Sequence, residues 1–96
     1  MNYINVDLNF SMLVIVGGEH DGKRADSLRL SALLRELRRM NVPITPTATK
    51  PEALAAYKAA VTRVADGMGP TGGLRTRVLS QALARRAAEQ IVAGAA

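Results

Sequence analysis

Residues 4–16 read INVDLNFSMLVIV, and the expected fold class turns on what this segment is. Every even position is apolar: Ile4, Val6, Leu8, Phe10, Met12, Val14 and Val16. The odd positions begin polar, at Asn5, Asp7, Asn9 and Ser11, then turn apolar at Leu13 and Ile15. A period of two with β-branched residues reads as a strand, wet on one face in its first half and covered on both in its second. Unbroken, it would span about 40 Å, so the segment is either one long strand or a hairpin turning near Asn9. The expectation is an α+β fold: an N-terminal strand or hairpin over 1–16, then three helices, in a single small domain of residues 1–96.

A lone strand leaves backbone donors and acceptors unpaired along both edges, which is costly once it is buried. The other extended candidate, VPITPTA at residues 42–48, carries two prolines that lack the N–H a ladder needs. Pairing with the same strand of a second molecule about a two-fold axis would satisfy both chains, so a homodimer or larger assembly through the N-terminal strand is expected.

The helices follow from spacing. Leu30, Leu33, Leu34, Leu37 and Met40 form one apolar face, predicting a helix over 25–40 capped by Asp26 or Ser27. Asn41 is suited to the left-handed conformation that ends it. Thr49 and Glu52 have capping-box spacing with Pro51 in the first turn, and Leu54, Tyr57, Val61 and Val64 continue a second helix over 50–66. After the glycine-rich GMGPTGG, residues 67–73, an alanine-rich third helix is predicted over 74–92.

Charge is unevenly spread. Thirteen Lys and Arg against eight Asp and Glu give a net charge of +5. Residues 1–22 hold three acids and no Lys or Arg, so every basic group lies in the rest of the chain. Arginine dominates, and its planar fork suits phosphate and carboxylate better than lysine does. The partner chemistry this implies is a polyanion or an acidic protein surface. There is no cysteine, which removes disulfides and thiolate metal sites and suits a cytoplasmic location. No apolar run reaches the length of a membrane span, so no membrane association is expected. No basic flank precedes the apolar N-terminal part, so no signal peptide is expected.

Between the apolar segment and the first helix, Gly17 to Lys23 satisfy G-x-x-x-x-G-K, the core of a phosphate-cradling loop. The chemistry around it argues otherwise. Arg24 stands where that loop needs a Ser or Thr for magnesium, and Glu19 and Asp21 place carboxylates inside the cradle. Glu19-His20-Asp21 holds the sole histidine, with no second imidazole or thiol to share a metal. No nucleophile, base and orienting group stand together, so neither catalytic nor metal-binding residues are expected, no cofactor is implied, and the chain reads as a non-enzyme.

LRLSALLRELRRMNVPITPTATKPEALAAY, residues 28–57, resembles the SAP and HeH/LEM-like helix–extended loop–helix modules. Leu30, Leu33 and Leu37 match the first helix of those families, Val42-Pro43 the corner, and Lys50 with Leu54 the second helix. Asn41 replaces their usual glycine, and the loop from Pro43 to Lys50 is about two residues longer. The resemblance covers a third of the chain and implies binding of double-stranded nucleic acid through Lys50 and neighbouring basic groups. Some relatives bind proteins instead.

The residues permit a related reading on their own. Arg35, Arg38 and Arg39 lie off the apolar face of the first helix, where they would reach phosphates. Arg75 and Arg77, just after Gly72-Gly73, would place guanidinium groups at the N-terminus of the third helix, where free N–H groups also favour an anion. The expected function is therefore non-enzymatic binding of duplex nucleic acid, DNA first, through Arg35, Arg38, Arg39, Lys50, Arg75 and Arg77. The alternative is a small adaptor or inhibitor of mobile-element type that grips an acidic surface of a partner protein.

Overall fold

The computed structural model describes residues 6–7, 13–67, 77–78 and 81–94. It is mostly helical, which corrects the α+β expectation. Three helices, α1 (Leu30–Arg39), α2 (Lys50–Gly67) and α3 (Gln81–Val92), carry the structure. Strand pairing among the described residues comes down to a two-residue parallel ladder and one bridge. In the ladder, β1 (Val6–Asp7) sets Val6 opposite β2 (Arg77–Val78) at Arg77, and Asp7 opposite Val78. The bridge joins Val14 to Arg24. Residues 8–12, the middle of the expected strand or hairpin, lie outside the described residues.

What becomes of the apolar run is visible at residues 13–16, all buried. The chain doubles back through the glycine loop, and the return limb pairs with one edge of the run. Ala25 N–H donates to the Leu13 carbonyl, Ile15 N–H to the Lys23 carbonyl and Gly22 N–H to the Ile15 carbonyl, each at 2.8 Å. The carbonyls of the opposite edge meet side chains. The Tyr57 hydroxyl donates to the Val14 carbonyl at 2.5 Å, and the Arg39 guanidinium to the Val16 carbonyl at 2.8 Å. Polar side chains from two helices thus stand where a neighbouring strand would. The expected homodimer rests on unpaired strand edges, and on this edge the Val14 and Val16 carbonyls are met within the chain.

The helices show why their own spacing was readable. Leu33, Leu37 and Met40 are fully buried on α1, as are Tyr57 and Val61 on α2. Truncating either α1 leucine to alanine would cost about 2–5 kcal/mol, because the cavity left cannot fully collapse. Asn41 adopts φ 69°. Val42 N–H then reaches the Leu37 carbonyl at 2.9 Å and Asn41 N–H the Arg38 carbonyl at 3.1 Å, the two bonds of a Schellman ending. At the start of α2, Thr49 N–H donates to Glu52 Oε1 at 2.8 Å, and Glu52 N–H to Thr49 Oγ1 at 3.3 Å. That reciprocal pair holds the Glu52 carboxyl below its ordinary pKa. Helices α2 and α3 pack together, with Ala84, Ala87, Ala88 and Ile91 of α3 buried.

Two helix starts differ from expectation. Residues 25–27 form a 3-10 turn, Leu28 is extended and buried, and α1 begins only at Leu30. The expected caps are engaged elsewhere: Asp26 binds the Arg24 guanidinium, and the Ser27 hydroxyl donates to the Arg24 carbonyl at 2.6 Å. The third helix begins at Gln81, so Arg77 lies in β2 and not on a helix. Its neighbourhood, LRTRV at residues 74–78, alternates apolar or β-branched residues with arginine, a period of two that competes with helix propensity.

Tyr57 ties this arrangement together. It is completely buried, and burial pushes its phenol well above the ordinary pKa, so it stays a neutral donor. Tyr57→Phe keeps the ring and leaves the Val14 carbonyl without that donor. A loss of about 1–3 kcal/mol in urea unfolding is expected; unchanged stability would show that the carbonyl finds another partner.

Candidate anion-binding surface

Among the described residues Arg24, Arg39 and Arg85 are paired with carboxylates of the chain, whereas Arg29, Arg35, Arg38, Arg63 and Arg86 are exposed without such a partner. Arg24 grips both oxygens of Asp26, at 2.7 and 3.0 Å. Arg85 bridges Asp21 at 2.9 Å and Glu89 at 3.2 Å. Arg39 folds back on Glu36, with its Nε and Nη2 at 3.0 and 2.7 Å from one carboxylate oxygen. The same Nη2 also donates to the Val16 and Gly17 carbonyls, at 2.8 and 2.9 Å. Glu36 is 7% exposed and needs this partner, because a buried unpaired carboxylate is expensive. Arg39 was expected on the solvent face of α1 as a phosphate ligand; the structure gives its guanidinium to the core's edge instead.

Arg35 and Arg38 are different. Both are exposed, and neither has an ion-pair or hydrogen-bond partner among the described residues. Three residues apart on a helix, they are neighbours on one side of it. With Ser31, Leu34 and Pro46 they line a groove of about 350 Å³. Pro46, one of the two prolines that keep residues 42–48 out of a helix, thus also supplies one wall, and α1 supplies Arg35, Arg38 and the Ser31 hydroxyl.

The other expected ligands do not join them in that groove. Lys50, half-buried at the start of α2, contributes to the field that holds the Asp26 carboxyl below its usual pKa, after the larger effect of Arg24. Arg77 pairs through its backbone with Val6 in the short ladder. Arg75 lies outside the described residues. Among the described residues no cluster of three or more His, Asp or Glu side chains could hold a metal. No described helix is long and apolar enough to cross a membrane.

The glycine loop has a geometry of its own. Lys23 does not open a helix but sits on the return limb, its carbonyl bonded to Ile15 N–H and its ammonium 3.2 Å from His20 Nδ1. The Gly17 N–H, which a phosphate cradle would turn toward its anion, donates to Asp21 Oδ1 at 2.7 Å. Gly17 and Gly18 have φ of 81° and 73°, and a Cβ on Gly17 would stand 3.2 Å from the Arg39 guanidinium. Glycine here serves the approach of Arg39. The Gly17 N–H and, after it, Arg85 hold the Asp21 carboxyl below its ordinary range. Nothing in the sequence signalled the Asp21–Arg85 pair, because 64 positions separate the two residues.

Two outcomes follow from this partition. Arg39→Ala leaves the Glu36 carboxylate and the Val16 carbonyl without their donor and should lower unfolding stability by about 1–3 kcal/mol. Arg35→Ala and Arg38→Ala should each change it by less than about 0.5 kcal/mol; equal losses in denaturation would erase the distinction. Because the Asp21 pKa is lowered on folding, its contribution is present above the ordinary carboxylate pKa and is lost as pH falls through the lower folded value. Gly17 amide exchange, corrected for its intrinsic pH dependence, should lose protection over that acid window and already at neutral pH in Arg85→Ala. Protection unaffected by either would show that the Asp21–Arg85 pair does not hold the Gly17 N–H.

No protein-family model, curated protein or solved structure matches the chain.

Proposed function

We propose that this chain is a small, non-enzymatic, cytoplasmic protein that grips the phosphate backbone of duplex DNA with the arginine groove of α1. The observation that carries the reading is the pairing of its arginines. Arg24, Arg39 and Arg85 are matched to carboxylates, whereas Arg35 and Arg38 share a groove with no described counter-charge. Two adjacent guanidinium forks and the Ser31 hydroxyl are donors of the kind that phosphate oxygens accept. Leu34 and Pro46 complete the lining of this open groove. The net charge of +5 adds a long-range field that draws in a polyanion. A duplex is favoured over single strands because stacking needs accessible aromatic rings: the chain has only Tyr3, Phe10 and Tyr57, and Tyr57 is buried. A cysteine-free chain suits the reducing cytoplasm.

The test is anisotropy with short labelled duplexes of unrelated sequence, followed over a salt series. The Arg35→Ala/Arg38→Ala double variant should bind all duplexes more weakly. Its slope of log K against log salt should shrink by about 0.9 for each phosphate that is no longer neutralised. A double variant that folds and binds like the parent would overturn the assignment. Retention of the parent on polyglutamate but not on DNA would transfer the same groove to an acidic protein partner.

A further inference from the structure

A second concavity lies away from the α1 groove, where the C-terminal ends of α2 and α3 come together. It encloses about 600 Å³, within the range of small-ligand sites. Its floor is apolar, with Ala60 and Val64 of α2 and Ile91 of α3 all buried. Its rim holds three polar side chains, those of Arg63, Gln90 and Asn41. Arg63 and Gln90 have no hydrogen-bond or ion-pair partner among the described residues. We propose that this groove binds a small carboxylate with an apolar body, its carboxylate on the Arg63 guanidinium and its body over Ala60, Val64 and Ile91.

The sign of the ligand's charge follows from what borders the groove. Helix C-termini carry a partial negative charge from unpaired carbonyls, which by itself would favour a cation. The end of α3 is partly answered within the fold, because Asn41 Nδ2 donates to the Ile91 and Val92 carbonyls at 3.3 and 3.2 Å. Arg63 brings a full positive charge against those partial ones, and its planar fork matches a carboxylate with two parallel bonds. The Gln90 amide is a further donor at the same rim. A mouth lined by Pro43, Ala60, Val64 and Ile91 beside a single guanidinium fits an acid with an apolar body better than a bare inorganic anion, which would make little dispersion contact with those residues. Arg63 stands on a ridge: its other side borders an open face of α2 lined by Ala55, Lys58, Ala59, Thr62 and Asp66, where both signs of charge are present. The ligand belongs on the Val64 and Ile91 side of that ridge.

The probe is 3-phenylpropionate, titrated into the full chain and followed by methyl and amide NMR, with 3-phenylpropionamide and 3-phenylpropylammonium as the neutral and cationic counterparts. For a ligand of this size a dissociation constant on the order of millimolar is expected. Val64 and Ile91 should shift with the carboxylate while Ala55 and Ala59 stay still, and the amide and ammonium should bind about tenfold more weakly or not at all. Arg63→Gln, at an exposed helix position, should fold like the parent and lose about tenfold in affinity. If that variant misfolds, the carboxylate-against-amide comparison on the parent decides. Equal binding of the amide, preference for the ammonium, shifts confined to Ala55 and Ala59, or no shift at all would each overturn the site. DNA binding through Arg35 and Arg38 is read separately, so either site can fail while the other stands.

Discussion

Residues 13–16 bring consecutive backbone groups into the core with no long strand among the described residues beside them, and the structure depends on how their carbonyls are paired. The odd ones, on Leu13 and Ile15, take N–H groups from the return limb of the glycine loop. The even ones, on Val14 and Val16, take Tyr57 from α2 and Arg39 from α1. In water a carbonyl loses little by giving up one partner, but in the core an unmatched one costs on the order of 1–3 kcal/mol. The segment can therefore be buried only when both helices are docked on it. That couples α1, α2 and the glycine loop into one cooperative arrangement, and α3 joins it through the Arg85–Asp21 pair.

The same constraint sorts the arginines. Arg39 looks on a helical wheel like Arg35 and Arg38, yet it is drawn inward by the carbonyls of residues 16 and 17 and by Glu36, whose carboxylate is buried beside it. The close approach needs glycine at position 17, where a side chain would crowd the guanidinium. The loop that looks like a nucleotide cradle is thus explained by packing: its glycines admit Arg39, its aspartate closes the turn and its lysine lies on the return limb. Once these groups are committed, the remaining positive charge of α1 is concentrated on two residues facing one groove.

One side chain does double service at the other end of the molecule. Asn41 ends α1 by taking a left-handed conformation, and its side chain then reaches the last carbonyls of α3. Glycine would serve the first purpose and leave the second unmet. One residue therefore closes one helix, ties down another and shapes the groove that Arg63 borders.

What the sequence by itself determined is the local part of the structure. The Leu33–Leu37–Met40 spacing, the left-handed propensity of Asn41 and the Thr49–Glu52 capping box involve residues within a turn or two of one another, so the information needed lies in a short window. The late starts of α1 and α3 were harder to see, because Arg24 competes for Asp26 and because residues 74–78 carry a period of two within a region otherwise read as helix. The fate of residues 13–16 was decided by tertiary structure alone. Alternation says that a segment is extended and half-buried; it does not say whether its backbone will be met by another strand or by side chains. Here Tyr57 and Arg39, 43 and 23 positions away, supply the partners. The pairing of Arg85 with Asp21 and the freedom of Arg35 and Arg38 have the same origin: charge is written in the sequence, but which charges neutralise one another depends on distances that only the folded chain sets.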